Sequence, residues 1–225
     1  MAMRYAIRFT AAAVVLASLL ACGDGAPAPK LPSPPVAPPR APSLSAQTPA
    51  APSAATPVTW NNDNNSTATS DASLLQVAGL TAPKPVAWTW VKPSMQFRTL
   101  QYTIAGGADS TSAADLIVSV FNAGDGGPID ANIERWRGQF RNGEAMADAK
   151  TSKGEVQGMP LTRVELEGDY MSMGSPAPKV GFMQLAAIVE APGRNVFFRL
   201  TGPKATVEAS RAAFEALVAG IREGQ

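Results

Sequence analysis

The sequence predicts an α+β domain, an antiparallel sheet covered by two helices, carried on an extended Pro/Ala-rich tether. Three observations predict it. Between Leu74 and Thr201 several segments alternate apolar and polar residues and are joined by tight turns, as antiparallel strands do. Two other segments, Ile129 to Phe140 and Val207 to Ile221, repeat apolar residues at helical spacings, the mark of a helix with one buried face. Before Leu74 neither period exists, and eleven of the 20 prolines fall between Pro27 and Pro57.

At the N-terminus, Arg4 and Arg8 precede a twelve-residue apolar stretch, Phe9 to Leu20. A bilayer-spanning helix takes about 20 apolar residues, so this stretch reads as the core of a signal peptide occupying residues 1–21. Its end, Leu19-Leu20-Ala21-Cys22, resembles the lipobox of bacterial lipoproteins. The resemblance implies cleavage before Cys22, a diacylglyceryl thioether on its sulfur and acylation of its new amino group. Cys22 is the only cysteine in the chain, so no intramolecular disulfide can form. In enteric-type lipoproteins an Asp directly after the cysteine retains the protein in the inner membrane. Gly23 stands there, with Asp24 one further on, so by that resemblance the outer membrane is expected.

Composition narrows the chemistry. Removing residues 1–21 takes Arg4 and Arg8, leaving 17 of the 19 basic residues against 18 acidic ones, a net charge of −1. That balance gives no footprint for nucleic acid, and none is expected as a partner. The chain has no histidine. This excludes a Ser-His-Asp triad, a Cys-His dyad and any histidine-containing metal site. Acylation of Cys22 would remove thiol chemistry as well. No cofactor or metal is expected; carboxylate catalysis, a Lys base or a Ser-Lys pair stay open. The chain is read as a non-enzymatic protein whose partners are the membrane, through its lipid, and an envelope protein or ligand that the sequence does not specify.

Residues 22–73 are expected to be disordered. Proline removes backbone donors and favours extended polyproline II, while Ala, Ser and Asn offer no core. At about 3.1 Å per residue the Pro-rich part would reach about 100 Å fully extended.

Residues 74–225 form the expected domain. Leu74 to Leu80 starts it as a short strand, and Trp88 to Val91 gives another that Pro93 ends. Leu100, Tyr102 and Ile104 point one way from a half-buried strand, which Gly106 and Gly107 turn. Asp115 to Phe121 is apolar on both faces and reads as a central strand covered on both sides. Gly124-Asp125-Gly126-Gly127 leads into a helix with Pro128 at its first position and Asp130 in its first turn. Ile129, Ile133, Trp136 and Phe140 form its apolar stripe, which carries it to about Arg141. Lys150 to Val156, a turn at Gly158, and Thr162 to Glu167 follow, with Val164 and Leu166 inward and Arg163, Glu165 and Glu167 outward. After a loop containing Met171 and Met173, Val180 to Val189 is again apolar on both faces. Val196 to Thr201 is the last strand, and a closing helix runs from about Pro203 to Arg222.

The run from Gly124 through Ala131 to Phe140, together with Val196 to Pro203 before a closing helix, resembles an uncharacterised family of exported bacterial proteins. The layout is similar to the PsbP/Mog1 type of α/β/α sandwich. That resemblance implies a binding or assembly-accessory role rather than one chemistry.

Four features are candidate sites. The Gly124–Gly127 turn before a helix would offer backbone N–H groups to an anion, yet it lacks nucleotide-loop spacing and serves equally as a turn needing positive φ. Arg135, Arg137 and Arg141 beside Trp136 invite a nucleic-acid or glycan reading. Helical spacing instead puts Asp130, Glu134, Arg137 and Arg141 on a solvated stripe and leaves Asn132, Arg135 and Gln139 as the face for a specific polar contact. Glu165 and Glu167, same-face neighbours about 6.5–7 Å apart on a strand, with Asp169 nearby, have the separation of a glycoside-hydrolysing pair or of an ordinary polar strand face. Met171 and Met173 would form an adaptable apolar surface or cap the core.

Overall fold

A computed structural model describes residues 63–107, 112–172 and 174–224. Residues 1–21, read from the sequence as a signal peptide, Cys22, the Pro-rich run and Met173 lie outside the described residues.

The domain begins earlier than Leu74. The first hairpin, β1 (Leu74–Val77) and β2 (Leu80–Pro83), is edged by the preceding residues. Ser66 N–H donates to Gln76 O at 2.8 Å, Gln76 N–H to Ser66 Oγ at 2.8 Å, and Ala78 N–H to Asn65 Oδ1 at 2.7 Å. Residues 65–73 therefore belong to the folded unit, not to the tether. Their small polar side chains cap strand backbone, a role that composition does not reveal. Lys84 completes this corner. Its ammonium donates to the carbonyls of Ala72, Pro85 and Trp88 and stands over the Tyr102 ring.

β3 (Thr89–Trp90), β4 (Leu100–Ile104) and β5 (Ala114–Asn122) follow, then helix α1 (Ile129–Arg137). Next come β6 (Phe140–Asn142), β7 (Ala145–Met146), β8 (Lys150–Val156), β9 (Met159–Tyr170), β10 (Lys179–Ala191) and β11 (Arg194–Pro203). Helices α2 (Lys204–Ala209) and α3 (Arg211–Ala219) and the short β12 (Arg222–Glu223) close the chain. The large sheet is antiparallel throughout, in the order β3-β4-β5-β11-β10-β9-β6-β7, with β8 also on β9. A small sheet, β1-β2-β12, joins the two ends of the domain.

Alternation along the strands divides the interior in two. Leu116, Val118, Leu185, Ala187, Phe198 and Leu200 face one side, with Phe214, Leu217 and Val218 of α3 and the small sheet. Val164, Leu166, Ala186, Ile188 and Phe197 face the other, with Ile133 and Trp136 of α1. This explains why β10 is apolar on both faces: Met183 to Val189 are all buried. β5 departs from expectation. Its Leu116 face is buried, but Ile117, Ser119 and Phe121 are only half-buried.

Both helices are shorter than periodicity predicts. α1 ends at Arg137 with Gly138 as its C-cap, and Phe140, still in register with the apolar stripe, becomes a strand residue opposite Tyr170. Arg141 is likewise on β6, not on the helix. The fit depends on Gly168, where a Cβ would lie 2.5 Å from Arg141 O. The closing helix is two helices that meet at Ser210. Arg163, Glu165 and Glu167 sit on the α2–α3 side, since Glu165 pairs in register with core-facing Leu185.

Candidate functional site

The sequence-derived candidates fall in three separate places. The carboxylates are under the end of the closing helices. Glu165 accepts from Lys150 Nζ at 2.9 Å and from Arg211 Nη1 at 2.8 Å. Glu167 is paired with Lys204, and Asp169 Oδ1 accepts the Gly181 N–H at 3.2 Å. Burial pushes the Glu165 carboxyl up, but the hydrogen bonds and charges of Lys150 and Arg211 outweigh it and hold it below its ordinary value. A general acid needs the opposite shift.

This cluster makes a testable contribution to stability. A carboxylate whose folded pKa lies below its unfolded one stabilises above the unfolded value of about 4.5 and loses that contribution as pH falls through the folded value. Glu165→Gln is expected to destabilise by roughly 1 kcal/mol at neutral pH, and the difference from wild type should shrink below pH 4.5. Urea titrations across pH check it; a constant difference would mean the carboxylate charge does not contribute.

The glycine-rich turn borders the second place. Gly124, Gly126 and Gly127 all have positive φ, and a Cβ on Gly126 would lie 2.7 Å from the Phe121 ring. The turn and the start of α1 line a cleft of about 670 Å³ with Lys153, Thr162, Glu190 and Asn195. Three acidic residues, Asp125, Asp130 and Glu190, line it against one basic residue, Lys153, so local charge opposes an anion at this helix end. Among the described residues no group of three acidic, His or Cys side chains is placed to hold a metal ion.

The third place was visible only in part. Asn132 is not on an open face; it is buried, and its Nδ2 donates to the carbonyls of Gly126 at 2.9 Å, Gly127 at 3.3 Å and Pro128 at 3.0 Å. It ties the turn to α1. Asn132 and Arg135 are one turn apart on α1, whereas Gln139 follows the end of the helix at Arg137. Asn132 Oδ1 accepts from Arg135, whose side chain is otherwise exposed. Gln139 Oε1 accepts from Arg199 Nη2 at 3.1 Å.

Arg199 is the centre of this group. It stands on β11, beside Trp136, with its guanidinium 4.9 Å from the ring centroid. Nε and Nη2 donate to Gln184 Oε1 at 3.0 and 2.7 Å, and Thr201 Oγ1 donates to the same oxygen at 3.2 Å. Its pKa is lowered to about 10, chiefly by burial, with Tyr170 opposing the fall and Arg135 and Arg98 adding to it. A row of rings leads away from it: Trp136 to Phe197 at 6.1 Å, Phe197 to Phe121 at 5.4 Å, Phe121 to Phe97 at 6.0 Å. Phe97 is 66% exposed and has φ of 65°, a conformation that costs a bulky residue strain. One signal for Arg199 was available. It is the single charge in Val196-Phe197-Phe198-Arg199-Leu200, a run apolar on both faces, where a cation needs a reason to be.

No protein-family model and no curated protein matches the chain. Among solved structures, it is similar to the cyanobacterial PsbP (CyanoP) of Synechocystis sp. PCC 6803, at 14% identity over 72% of this chain and 99% of that one, with a TM-score of 0.45. It is also similar to PA94 of Pseudomonas aeruginosa, a protein of unknown function described as a putative regulator. There the identity is 11%, the coverage 65% and 92%, and the TM-score 0.42. A protein of Bacteroides thetaiotaomicron is similar at 10% identity over 66% of this chain and 46% of its own, with a TM-score of 0.38.

Proposed function

We propose that the chain is a bacterial envelope lipoprotein, held by lipid on Cys22 at the periplasmic face of the outer membrane. Its folded part is a non-enzymatic binding or assembly-accessory domain of the PsbP/Mog1 α/β/α layout. The lipobox resemblance and the short apolar leader support the anchor. Placement of α1 residues in one core and α2–α3 residues in the other supports the layout. Among the described residues no helix is long and apolar enough to cross a membrane.

The observation that carries the non-catalytic reading is the engagement of every candidate carboxylate. Glu165 and Glu167 are bound to cations and Asp169 to a backbone amide. A hydrolase acting on envelope glycans would need one of them protonated and facing a concave site. Crosslinking in intact cells followed by pull-down of the full-length protein tests the reading. The expected result is capture of a discrete envelope partner. Turnover of envelope glycans by the purified protein, abolished by Glu165→Gln, would overturn it.

A further inference from the structure

Arg199 presents a problem of charge. It is half-buried, and among the described residues no ion pair includes it. Its partners are neutral: the amide oxygens of Gln184 and Gln139, the Trp136 ring and Tyr170. Tyr170 favours its charged form, while Arg135 and Arg98, of its own sign, act against it. Arg135 is held by Asn132 and Arg98 Nη1 by Gln101 Oε1 at 2.8 Å, again neutral oxygens. Asp115 lies on the same sheet face but accepts from Gln101 and Thr103 instead. Two buried donors beside the guanidinium, Gln184 Nε2 and Trp136 Nε1, have no hydrogen-bond partner. With the Asp115 carboxylate bound to neutral side chains rather than to a guanidinium, a partly buried Arg199 beside unfilled donors is unfavourable for the fold alone, because burial penalises charge unless it is compensated.

We propose that this face of the sheet, at Arg199 with Arg135 and Arg98, is a binding site for an oxyanion, a carboxylate or phosphate group of the domain's ligand. A planar guanidinium fixed by two amides and stacked on an indole is preorganised for such a group. Two more arginines belong to this side of the sheet. Arg98 is bound to Gln101, which is in register with Arg199 through Ile117. Arg135 is bound to Asn132 on α1, the helix whose Trp136 lies against Arg199. Gln184 and Gln139 hold the central one while adding no competing charge. The site is distinct from the cleft at the glycine-rich turn, whose acidic lining would repel the same group.

The proposal rests on reading the domain as a binding module and names the chemistry it binds. Calorimetric titration of the full-length protein in detergent, at ionic strength held constant with chloride, tests it with two probes, inorganic phosphate and acetate. One-to-one saturable binding of either is expected, and the tighter probe identifies the source of the oxyanion. Arg135→Gln, at an exposed position, should weaken binding about tenfold, as loss of one charge-assisted contact would. Arg199→Gln should abolish it. If Arg199→Gln fails to fold, Arg98→Gln replaces it, with a similar tenfold loss expected. Arg163→Gln, on the opposite face, should leave binding unchanged. Absence of saturable binding by both probes, or equal affinity in wild type and Arg135→Gln, would overturn the site. Either result leaves partner capture in cells intact as a separate test of the binding-module reading.

Discussion

Trp136→Ala is expected to destabilise the domain by about 3–5 kcal/mol, the range for removing a large aromatic side chain from a packed core. Trp136 is 1% exposed and packs among Ile133, Phe140, Leu166, Ile188 and Phe197. It is a principal link between α1 and the sheet, because α1 otherwise buries only Ile133 and Asn132 there. The substitution leaves a cavity and also removes the aromatic face beneath Arg199, so a half-buried cation loses its main apolar neighbour. With domain stabilities of roughly 5–15 kcal/mol, much of the total is at risk. Equilibrium urea unfolding followed by far-UV circular dichroism measures the loss. Trp136→Phe is the control. It keeps a ring under Arg199 and deletes an indole N–H that has no partner, so it should cost clearly less. Equal losses for the two variants would show that the ring is not what holds α1.

Cys22→Ser is expected to release the protein from membranes completely. The argument is one of hydrophobic area. Each buried methylene contributes about 0.8 kcal/mol, one acyl chain binds only marginally, and two or more hold effectively permanently. Serine offers no thiol for the diacylglyceryl group, and nothing in the composition compensates. Residues 22–225 are near neutral and no polybasic segment follows residue 22. Fractionation with intact-mass measurement checks this. A variant that remains in the membrane fraction at unchanged mobility would refute the lipid anchor.

The fold was legible where local pattern and tertiary environment agree. β4 and β9 follow from alternation, and β10 and β11 from runs apolar on both faces, because each has at least one face against a core. The errors arise where a neighbour decides. Phe140 continues the helical spacing of Ile133 and Trp136, yet Gly138 lets the chain turn and the edge of β9 captures it as strand. Ser210 interrupts the closing helix although the apolar spacing runs through it. Asn65 and Ser66 look like more of the linker until the β1 backbone they cap is in place. The site was less legible for the same reason. Arg135 and Gln139 were visible as a polar helix face, but what they approach comes from β10 and β11, more than forty residues on, and the spacing within α1 contains no trace of it. Asn132 reads from the sequence as part of a face for a specific polar contact, because an amide has no preference that betrays the three backbone carbonyls it in fact holds.

The pairing scheme has a consequence for how the chain acquires its structure. β5 hydrogen-bonds to β11, with Asn122 opposite Arg194, and β12 returns to β2, with Arg222 opposite Thr81. Buried Arg194 is joined to Glu223 at 3.0 Å across the same junction. The first strands therefore have no complete partner until nearly the last residue has been made. Contacts of this sequence separation impose a high loop-closure cost before they return any stabilisation, and proteins dominated by them fold in milliseconds to seconds rather than microseconds. The β1–β2 and β3–β4–β5 pairings are local, but β2 and β5 each keep an open edge until the C-terminal strands β11 and β12 reach them.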